Sequence, residues 1–168
     1  MNLIKNLSIS YEIALSIGNS LNLREMIDRV LKTVVRKVEA YRGIVWLWNE
    51  DALEYLTSVG FCTKGVNYHA VGDILGYRLK TILDSGRPLV KTEQDDDFKD
   101  FCAPFTGNEK EVLLVPIGKT ALIQLSFTYE GASGKGLAGI LAGVAPKLSN
   151  AILSCLNHNK LLAIERAE

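Results

Sequence analysis

Two amphipathic patterns open the chain and predict two consecutive helices. Apolar residues at the start recur at spacings of three, four and seven: Leu3, Leu7, Ala14, Ile17 and Leu21. Gly18-Asn19 ends this first pattern at about residue 18. A second helix is predicted from Asn22, a suitable cap, to about Ala40. Its broad apolar stripe consists of Leu23, Met26, Ile27, Val30, Leu31, Val34, Val35 and Val38.

Extended patterns follow the helices and predict a sheet. Residues 44–48 are apolar at every position, which indicates a strand buried on both faces. Asn49-Glu50-Asp51 is a turn sequence, and residues 53–59 return as a second strand. A weaker pattern at 66–71 predicts a short strand, and two further strands are expected at 111–117 and 120–129.

The second half of the chain adds a short helix, a long loop and a final helix. Residues 75–83 have helical spacing, which Ser85-Gly86 and Arg87-Pro88 end. Residues 92–108 are polar and rich in turn residues, and we expect a long loop with one helical turn. A last helix is predicted from about Leu137 to the terminus. Hairpin-linked strands between helices predict one α+β domain with an antiparallel sheet.

Composition narrows the class of protein. The chain has 168 residues, 48% hydrophobic and 23% charged, which is typical of one soluble domain. Its 19 basic and 19 acidic residues balance, which argues against a nucleic-acid partner. No apolar run reaches the ~20 residues of a membrane span, and the N-terminus lacks the pattern of a signal peptide. The cysteines, Cys62, Cys102 and Cys155, lack metal spacing and favour a reducing, cytoplasmic location.

The order of these segments resembles the GAF domain, a small-molecule sensory module of signalling proteins. AYRGIVWLWNEDALEYLTSVGF (40–61) resembles the family's strand, acidic turn, strand and terminal glycine. VGDILGYRLKTILDSGRPLVKTEQDDDF (71–98) resembles its helix and loop, and EVLLVPI (111–117) its proline-containing strand. The resemblance implies a GAF/PAS-like fold of about five to six antiparallel strands. The terminal helices would cover one face of the sheet, and a short helix with a long loop the other.

Pro116 is the least expected residue of this pattern, because it follows four apolar residues of a predicted strand. Proline has no N–H for a sheet ladder and is confined to edges, bulges and strand ends. In GAF domains this proline lies near the end of a strand, where its missing N–H faces no partner. The short turn GKTA and the sequence GASGKGLAG depart from the family pattern, which leaves the subfamily open.

The resemblance also implies a pocket between the sheet and the short helix with its long loop. The candidate ligand-binding residues are Trp46, Tyr68, His69, Tyr77, Phe98, Phe101, Cys102, Phe105 and Leu113. Aromatic walls with a few polar groups are what a small-molecule site requires. The alternative is that the phenylalanines only attach the loop to the core.

The ligand itself stays unknown at this point. A single histidine on a strand, His69, is weak support for heme, and His158 lies far along the last helix. Cys102 lacks the adjacent histidine that bilin-binding GAF domains carry. The cyclic-nucleotide signature and a phosphate-binding loop are both missing. The run 95–97, three aspartates, is interpreted as a solvated loop rather than a metal site.

One enzyme class that uses the GAF fold is the free methionine sulfoxide reductases, which act through reactive cysteines. That chemistry needs a low-pKa thiolate and a resolving thiol, a pair that Cys62 and Cys102 would have to supply. The surrounding sequence does not resemble these enzymes, and no other catalytic set is present. We therefore expect no catalytic residues, with the reductase kept as an alternative.

The last helix carries a seven-residue repeat. The first position of the repeat is occupied by Leu141, Leu148, Cys155 and Leu162. The second, four residues later, is occupied by Ala145, Ile152 and Asn159. Packing on the sheet explains residues 137–152, whereas 150–168 is expected to project as a signalling and dimerisation helix. The chain, 1–168, is thus predicted to be a sensory domain of a histidine kinase, a cyclase or a similar protein. Pocket occupancy would pass through the terminal helices, including 1–20, of a homodimer; the other alternative is a dimerisation module without a ligand.

Overall fold

The fold was analysed in a computed structural model that describes residues 3–49, 52–60, 74–102 and 107–167. Within these ranges, five strands form one antiparallel sheet in the order β2-β1-β5-β4-β3. The elements are α1 (Leu3–Ile17), α2 (Leu23–Val38), β1 (Arg42–Asn49), β2 (Ala52–Val59), α3 (Ile74–Ser85), β3 (Leu89–Thr92), α4 (Phe98–Cys102), β4 (Glu111–Ile117), β5 (Ala121–Phe127) and α5 (Gly134–Ala167). The predicted α+β fold is confirmed. The strand expected at 66–71 lies outside the described residues.

The sheet is buried on both faces. Side chains alternate along each strand, so Val45 and Leu47 point to one face and Ile44 and Trp46 to the other. The first face packs against α1, α2 and α5, and the second against α3 and α4. Every residue of β4 and β5 is buried, because both are covered from above and below.

Helix α2 forms as its sequence predicts. The Asn22 side chain accepts a hydrogen bond from the Glu25 N–H at 3.0 Å, which caps the first turn. At the other end Glu39 takes a left-handed conformation with a φ of 58°. The buried stripe of the helix comprises Met26, Ile27, Val30, Leu31, Val34 and Val35. The predicted boundaries and the predicted apolar side are both confirmed.

Helix α1 has the predicted extent, but only part of its predicted apolar stripe is buried. Its buried residues are Ile9, Ile13 and Ile17. Of the predicted stripe, Ile17 is buried and Ala14 packs on the core, whereas Leu3, Leu7 and Leu21 are exposed. Because α1 carries apolar residues nearly all round, spacing alone could not select the side that packs on the domain.

Pro116 lies where its missing N–H costs no ladder bond. The Trp48 N–H donates to the Thr120 carbonyl at 2.7 Å, so even-numbered residues of β5 bond to β1. Odd-numbered β5 residues therefore bond to β4, and Pro116, opposite Leu122, faces away from β5. The pairing of β3 ends with Leu89, so the position beside Pro116 is beyond the end of that strand. This agrees with the role expected for the proline.

Helix α5 is the longest element, with 34 residues, and its start is fixed by a buried carboxylate. Glu111, at the beginning of β4, is 3% exposed. Its two oxygens accept hydrogen bonds from the Gly131 N–H at 2.9 Å and the Ser133 N–H at 2.7 Å. The Ser133 hydroxyl is a third partner. The turn before α5 is thereby tied to a central strand.

The heptad positions of α5 belong mostly to the core of the domain itself. Leu141, Ala145, Leu148, Ile152 and Cys155 are all buried in the helix-side core, while Asn159 and Leu162 are exposed. These side chains pack on α1 and the sheet, which agrees with the packing expected for residues 137–152. The signalling and dimerisation role expected for 150–168 stays a prediction.

The length and apolar composition of α5 are also compatible with a membrane-spanning helix. Gly136–Ile164 is long and apolar enough, by length and composition, to cross a bilayer. Core helices of soluble domains pass the same test, and the buried stripe of α5 packs on the sheet. The expectation that the chain has no membrane span stays a prediction.

We predict that Glu111→Gln lowers the free energy of unfolding by about 1–3 kcal/mol. The amide can replace only one of the two accepting oxygens, so one buried N–H loses its partner. Urea titration followed by circular dichroism measures the change. Glu130→Gln, at an exposed glutamate beside the same turn, is the control and should have little effect. Equal effects of the two variants would contradict the assigned role of Glu111.

Candidate functional site

The face of the sheet that α3 and α4 cover carries the predicted site. We call its apolar residues the sheet-face cluster: Ile44, Trp46, Leu53, Leu75, Leu79, Ile82, Leu83, Phe98, Phe101, Val112, Leu114 and Leu122. Trp48, Tyr55 and Cys102 are partly buried against it. Helix α3 supplies one wall, α4 supplies two phenylalanines, and four strands, β1, β2, β4 and β5, form the floor.

The structure brings together four of the nine predicted ligand-binding residues. Trp46, Phe98 and Phe101 belong to the sheet-face cluster, and Cys102 lies at its margin. Tyr77 does not join them, since it is 72% exposed on α3.

Leu113 also lies apart, because its side chain packs in the core against the terminal helices, on the opposite face of the sheet. The remaining three, Tyr68, His69 and Phe105, lie outside the described residues. Ligand binding by any of the nine stays a prediction.

A buried hydrogen-bond chain crosses the cluster. The Trp46 Nε1–H donates to Gln124 Oε1 at 3.0 Å, and Gln124 Nε2 donates to the Phe101 carbonyl at 2.7 Å. Gln124 is fully buried, so each of these bonds satisfies a group that water cannot reach. The chain joins β1 and β5 to α4, and therefore fixes the position of α4 relative to the sheet.

The end of the face where β1 begins is polar and charged. Arg42 and Glu109 form an ion pair of 3.0 Å in which both side chains are at most 5% exposed. Burial raises the pKa of Glu109, and the positive charge of Arg42 opposes that shift. Gly60 packs on Arg42, since a Cβ there would come within 2.7 Å of the Arg42 Cγ. The terminal glycine of the β2 motif thus makes room for a buried arginine.

Ser126 adds an unusual group to this polar end. It lies opposite Arg42 in the β1–β5 register and is fully buried. In the part of the chain that the structure describes, its hydroxyl has no hydrogen-bond partner. A buried hydroxyl without a partner costs stability, so its presence at this position needs a physical explanation.

The acidic loop before α4 is held by ion pairs. Arg78 on α3 contacts Asp97 at 3.1 Å and Asp100 at 3.0 Å, and Lys91 on β3 contacts Asp97 at 3.1 Å. Asp95 accepts a hydrogen bond from the Thr92 N–H at 2.9 Å. The interpretation of 95–97 as purely solvated was therefore incomplete, because two of its carboxylates have partners in the chain. The described residues contain no group of three ligands suited to a metal ion.

Cys102 ends α4 in a setting that suppresses thiolate formation. Burial raises the pKa of its thiol to about 12, and the carboxylates of Glu109 and Glu93 add to the effect. A reactive cysteine needs the opposite environment, with positive charge and access to solvent.

The polar residues of the face, Arg42, Gln124, Ser126 and Glu109, were missed at the sequence level. A signal was present for one of them, because Gln124 interrupts the apolar strand sequence ALIQLSF. A polar residue inside a strand that is buried on both faces must find a buried partner. Arg42 and Glu109 stand at strand ends, where sequence patterns place exposed residues.

We predict that Gln124→Leu lowers the free energy of unfolding by about 2–4 kcal/mol, because the Trp46 N–H and the Phe101 carbonyl both lose their partner. Urea unfolding followed by tryptophan fluorescence gives the value. Ser126→Ala, on the same strand and the same face, is the matched control. It removes a buried hydroxyl without a partner, so it should leave the free energy of unfolding unchanged or raise it, by up to about 1–3 kcal/mol. A Gln124→Leu variant as stable as the parent chain would contradict the hydrogen-bond chain.

Comparison with known proteins identifies the architecture. No family model matches the sequence, and no curated protein matches it either. Among solved structures, the GAF domain of a phosphoenolpyruvate-protein phosphotransferase from Coxiella burnetii aligns with a TM-score of 0.78 and 12% identity, over 95% of this chain and 99% of that one.

Two further solved structures differ in their described roles. The GAF domain of a two-component sensor histidine kinase from Bacillus halodurans has a TM-score of 0.64 and 12% identity, over 79% of this chain and 97% of that one. The free methionine-R-sulfoxide reductase from Neisseria meningitidis, solved with its substrate, has a TM-score of 0.68 and 9% identity, over 91% of each chain. Identities this low establish the fold and leave the activity open. The chain has the GAF-domain fold.

Proposed function

We propose that the chain is a small-molecule-sensing regulatory domain of a cytoplasmic signalling protein, such as a histidine kinase. The observation that carries the proposal is the composition of the α3–α4 side of the sheet. There an aromatic and aliphatic cluster adjoins the buried polar groups of Arg42, Glu109 and Ser126. Apolar walls give a ligand affinity, and convergent polar groups orient it. The signalling proteins among the structural neighbours support this interpretation by analogy.

Signal transfer would pass through a single layer of sheet. In β4, Val112 and Leu114 face the sheet-face cluster, while Leu113 and Val115 face the terminal helices. A ligand that displaces residues on one side must therefore move the strands on which α5 packs. Only a ligand that binds one arrangement more tightly than the other shifts the equilibrium between them.

The terminal helices would act within a homodimer. Beyond its buried side, α1 exposes a second apolar side, comprising Leu3, Ile4, Leu7, Tyr11 and Leu15, each at least 59% exposed. Helix α1 lies along α5, where Lys147 Nζ donates to the Ala14 carbonyl at 3.2 Å. A helix that is apolar all round is normally buried, so we assign the exposed side of α1 to contact with a second copy of the chain.

Native mass spectrometry of the untreated protein tests both parts of the proposal. We expect a dimer, with additional mass from a co-purified small molecule that denaturation releases. Leu7→Lys should convert the dimer to monomer, because it places a charge on the exposed apolar side of α1. Tyr77→Lys, at an exposed aromatic residue of α3, is the matched control and should stay dimeric.

The outcomes separate the alternatives. A monomer at high micromolar concentration contradicts the homodimer. A dimer without added mass, and without a thermal shift in a screen of metabolites, supports the dimerisation module that lacks a ligand. A heme or a bilin would identify a cofactor that the sequence disfavours.

The reductase alternative receives support from the fold, because free methionine-R-sulfoxide reductases are among the structural neighbours. The environment of Cys102 argues against it, since a thiol with a pKa of about 12 supplies very little thiolate at neutral pH. Cys62 lies outside the described residues.

We predict no reduction of free methionine-R-sulfoxide above background, with a known free methionine-R-sulfoxide reductase as the positive control. Activity that Cys102→Ala abolishes would establish the enzyme and overturn the sensor assignment.

A further inference from the structure

Helix α4 is a short element whose position depends on a few contacts. It has five residues, too few to form a stable helix without tertiary contacts. On its inner side, Phe98 and Phe101 are 7% and 1% exposed, and the Phe101 carbonyl accepts the bond from Gln124. On its outer side, it is held by the ion pairs of Asp97 and Asp100.

The outer contacts converge on one guanidinium. Arg78 contacts Asp97 through one terminal nitrogen and Asp100 through Nε, so a single side chain holds the residue before α4 and a residue in its middle. Both α3 and α4 place side chains in the sheet-face cluster. Helix α3 has 12 residues and α4 has five, so when the Arg78 ion pairs break, α4 is the element more easily displaced, against the resistance of the Gln124 bond.

The two sets of contacts differ in their sensitivity to solvent. The Gln124 bond is buried, whereas Arg78 and Asp100 are each 36% exposed and Asp97 and Lys91 are 17% and 20% exposed. Exposed ion pairs contribute little individually and are screened by salt, while buried hydrogen bonds are not. Loss of Arg78 would also leave Asp97 and Asp100 to repel each other.

We propose that Arg78, with Lys91, forms a salt-sensitive latch that holds α4 over the sheet-face cluster and controls access to it. The inference rests on the proposed function, because the latch regulates entry to the site assigned to the ligand. Opening moves Phe98 and Phe101 away from the sheet and increases the exposure of the half-buried Cys102 at the end of α4. Closing restores the cluster and shields the polar groups at its edge.

Thiol labelling measures the opening without any ligand. In a Cys62→Ser chain, iodoacetamide modifies Cys102 at a rate that reports the movement of α4. Cys155, fully buried under the terminal helices, reports opening of the whole domain. We expect Arg78→Gln to raise the Cys102 rate roughly three- to tenfold, with no change at Cys155. Asp97→Asn combined with Asp100→Asn should raise it similarly.

Salt and a matched variant sharpen the test. Raising NaCl to about 0.5 M should accelerate Cys102 labelling more when Arg78 is present than in Arg78→Gln, where only the screening of Glu93 and Glu109 remains. Arg87→Gln changes an exposed arginine just after α3 and should behave like the parent chain. Hydrogen exchange of the Phe98–Cys102 amides in the chain with Cys62 intact gives the same comparison if Cys62→Ser does not fold.

Two results would overturn the latch. One is an equal Cys102 rate in Arg78→Gln and Arg87→Gln; the other is a parallel rise at Cys102 and Cys155, which means that the whole domain loosens. Failure of the sensor proposal is a separate result, because the labelling assay uses no ligand. A working latch with no co-purified or added ligand would count against sensing alone.

Discussion

The burial of one sheet on both faces is the constraint on which the rest of this structure depends. β4 and β5 contain no exposed residue, so each of their side chains is committed to one of two cores. A polar residue in such a strand needs a buried partner, and Gln124 finds two, in Trp46 and the Phe101 carbonyl. The same burial couples the two cores through the strands, because Leu113 and Leu114 are adjacent in sequence and belong to opposite cores.

Strand β4 extends past the last residue of β3 that pairs with it, so within the described residues its backbone groups there have no strand partner on that side. Beyond Leu89, β3 no longer pairs with β4. Pro116 lies beside this gap, is itself buried, and lacks the N–H that would otherwise point there without a strand partner. The proline therefore costs no bond within the sheet and leaves no buried N–H unpaired at this position.

Most of the fold could be predicted from the sequence, because most segments follow one periodicity. α2 was correct in extent and side, since its stripe is flanked by charged residues and capped by Asn22. β3 was missed, because four residues with an exposed pattern carry no alternation to detect. The candidate site was only partly predictable. Its aromatic residues stand out in the loop sequence, but Arg42 and Glu109 are buried by chain segments that meet only in the folded state.

The partial match between α1 and its predicted apolar stripe has the same physical origin as the proposed dimer. A helix that must satisfy one core usually has one apolar side, and spacing then identifies it. α1 has two, of which Ile9, Ile13 and Ile17 pack on the domain while Leu3, Leu7 and Tyr11 face outward. By contrast, the heptad residues of α5 from Leu141 to Cys155 are buried in the core of the domain itself. If a second copy binds, the apolar side chains of that contact must come from α1, because the heptad residues of 141–155 are buried within the domain. Movement of α5 on the sheet would then reach the partner through the helix that lies beside it.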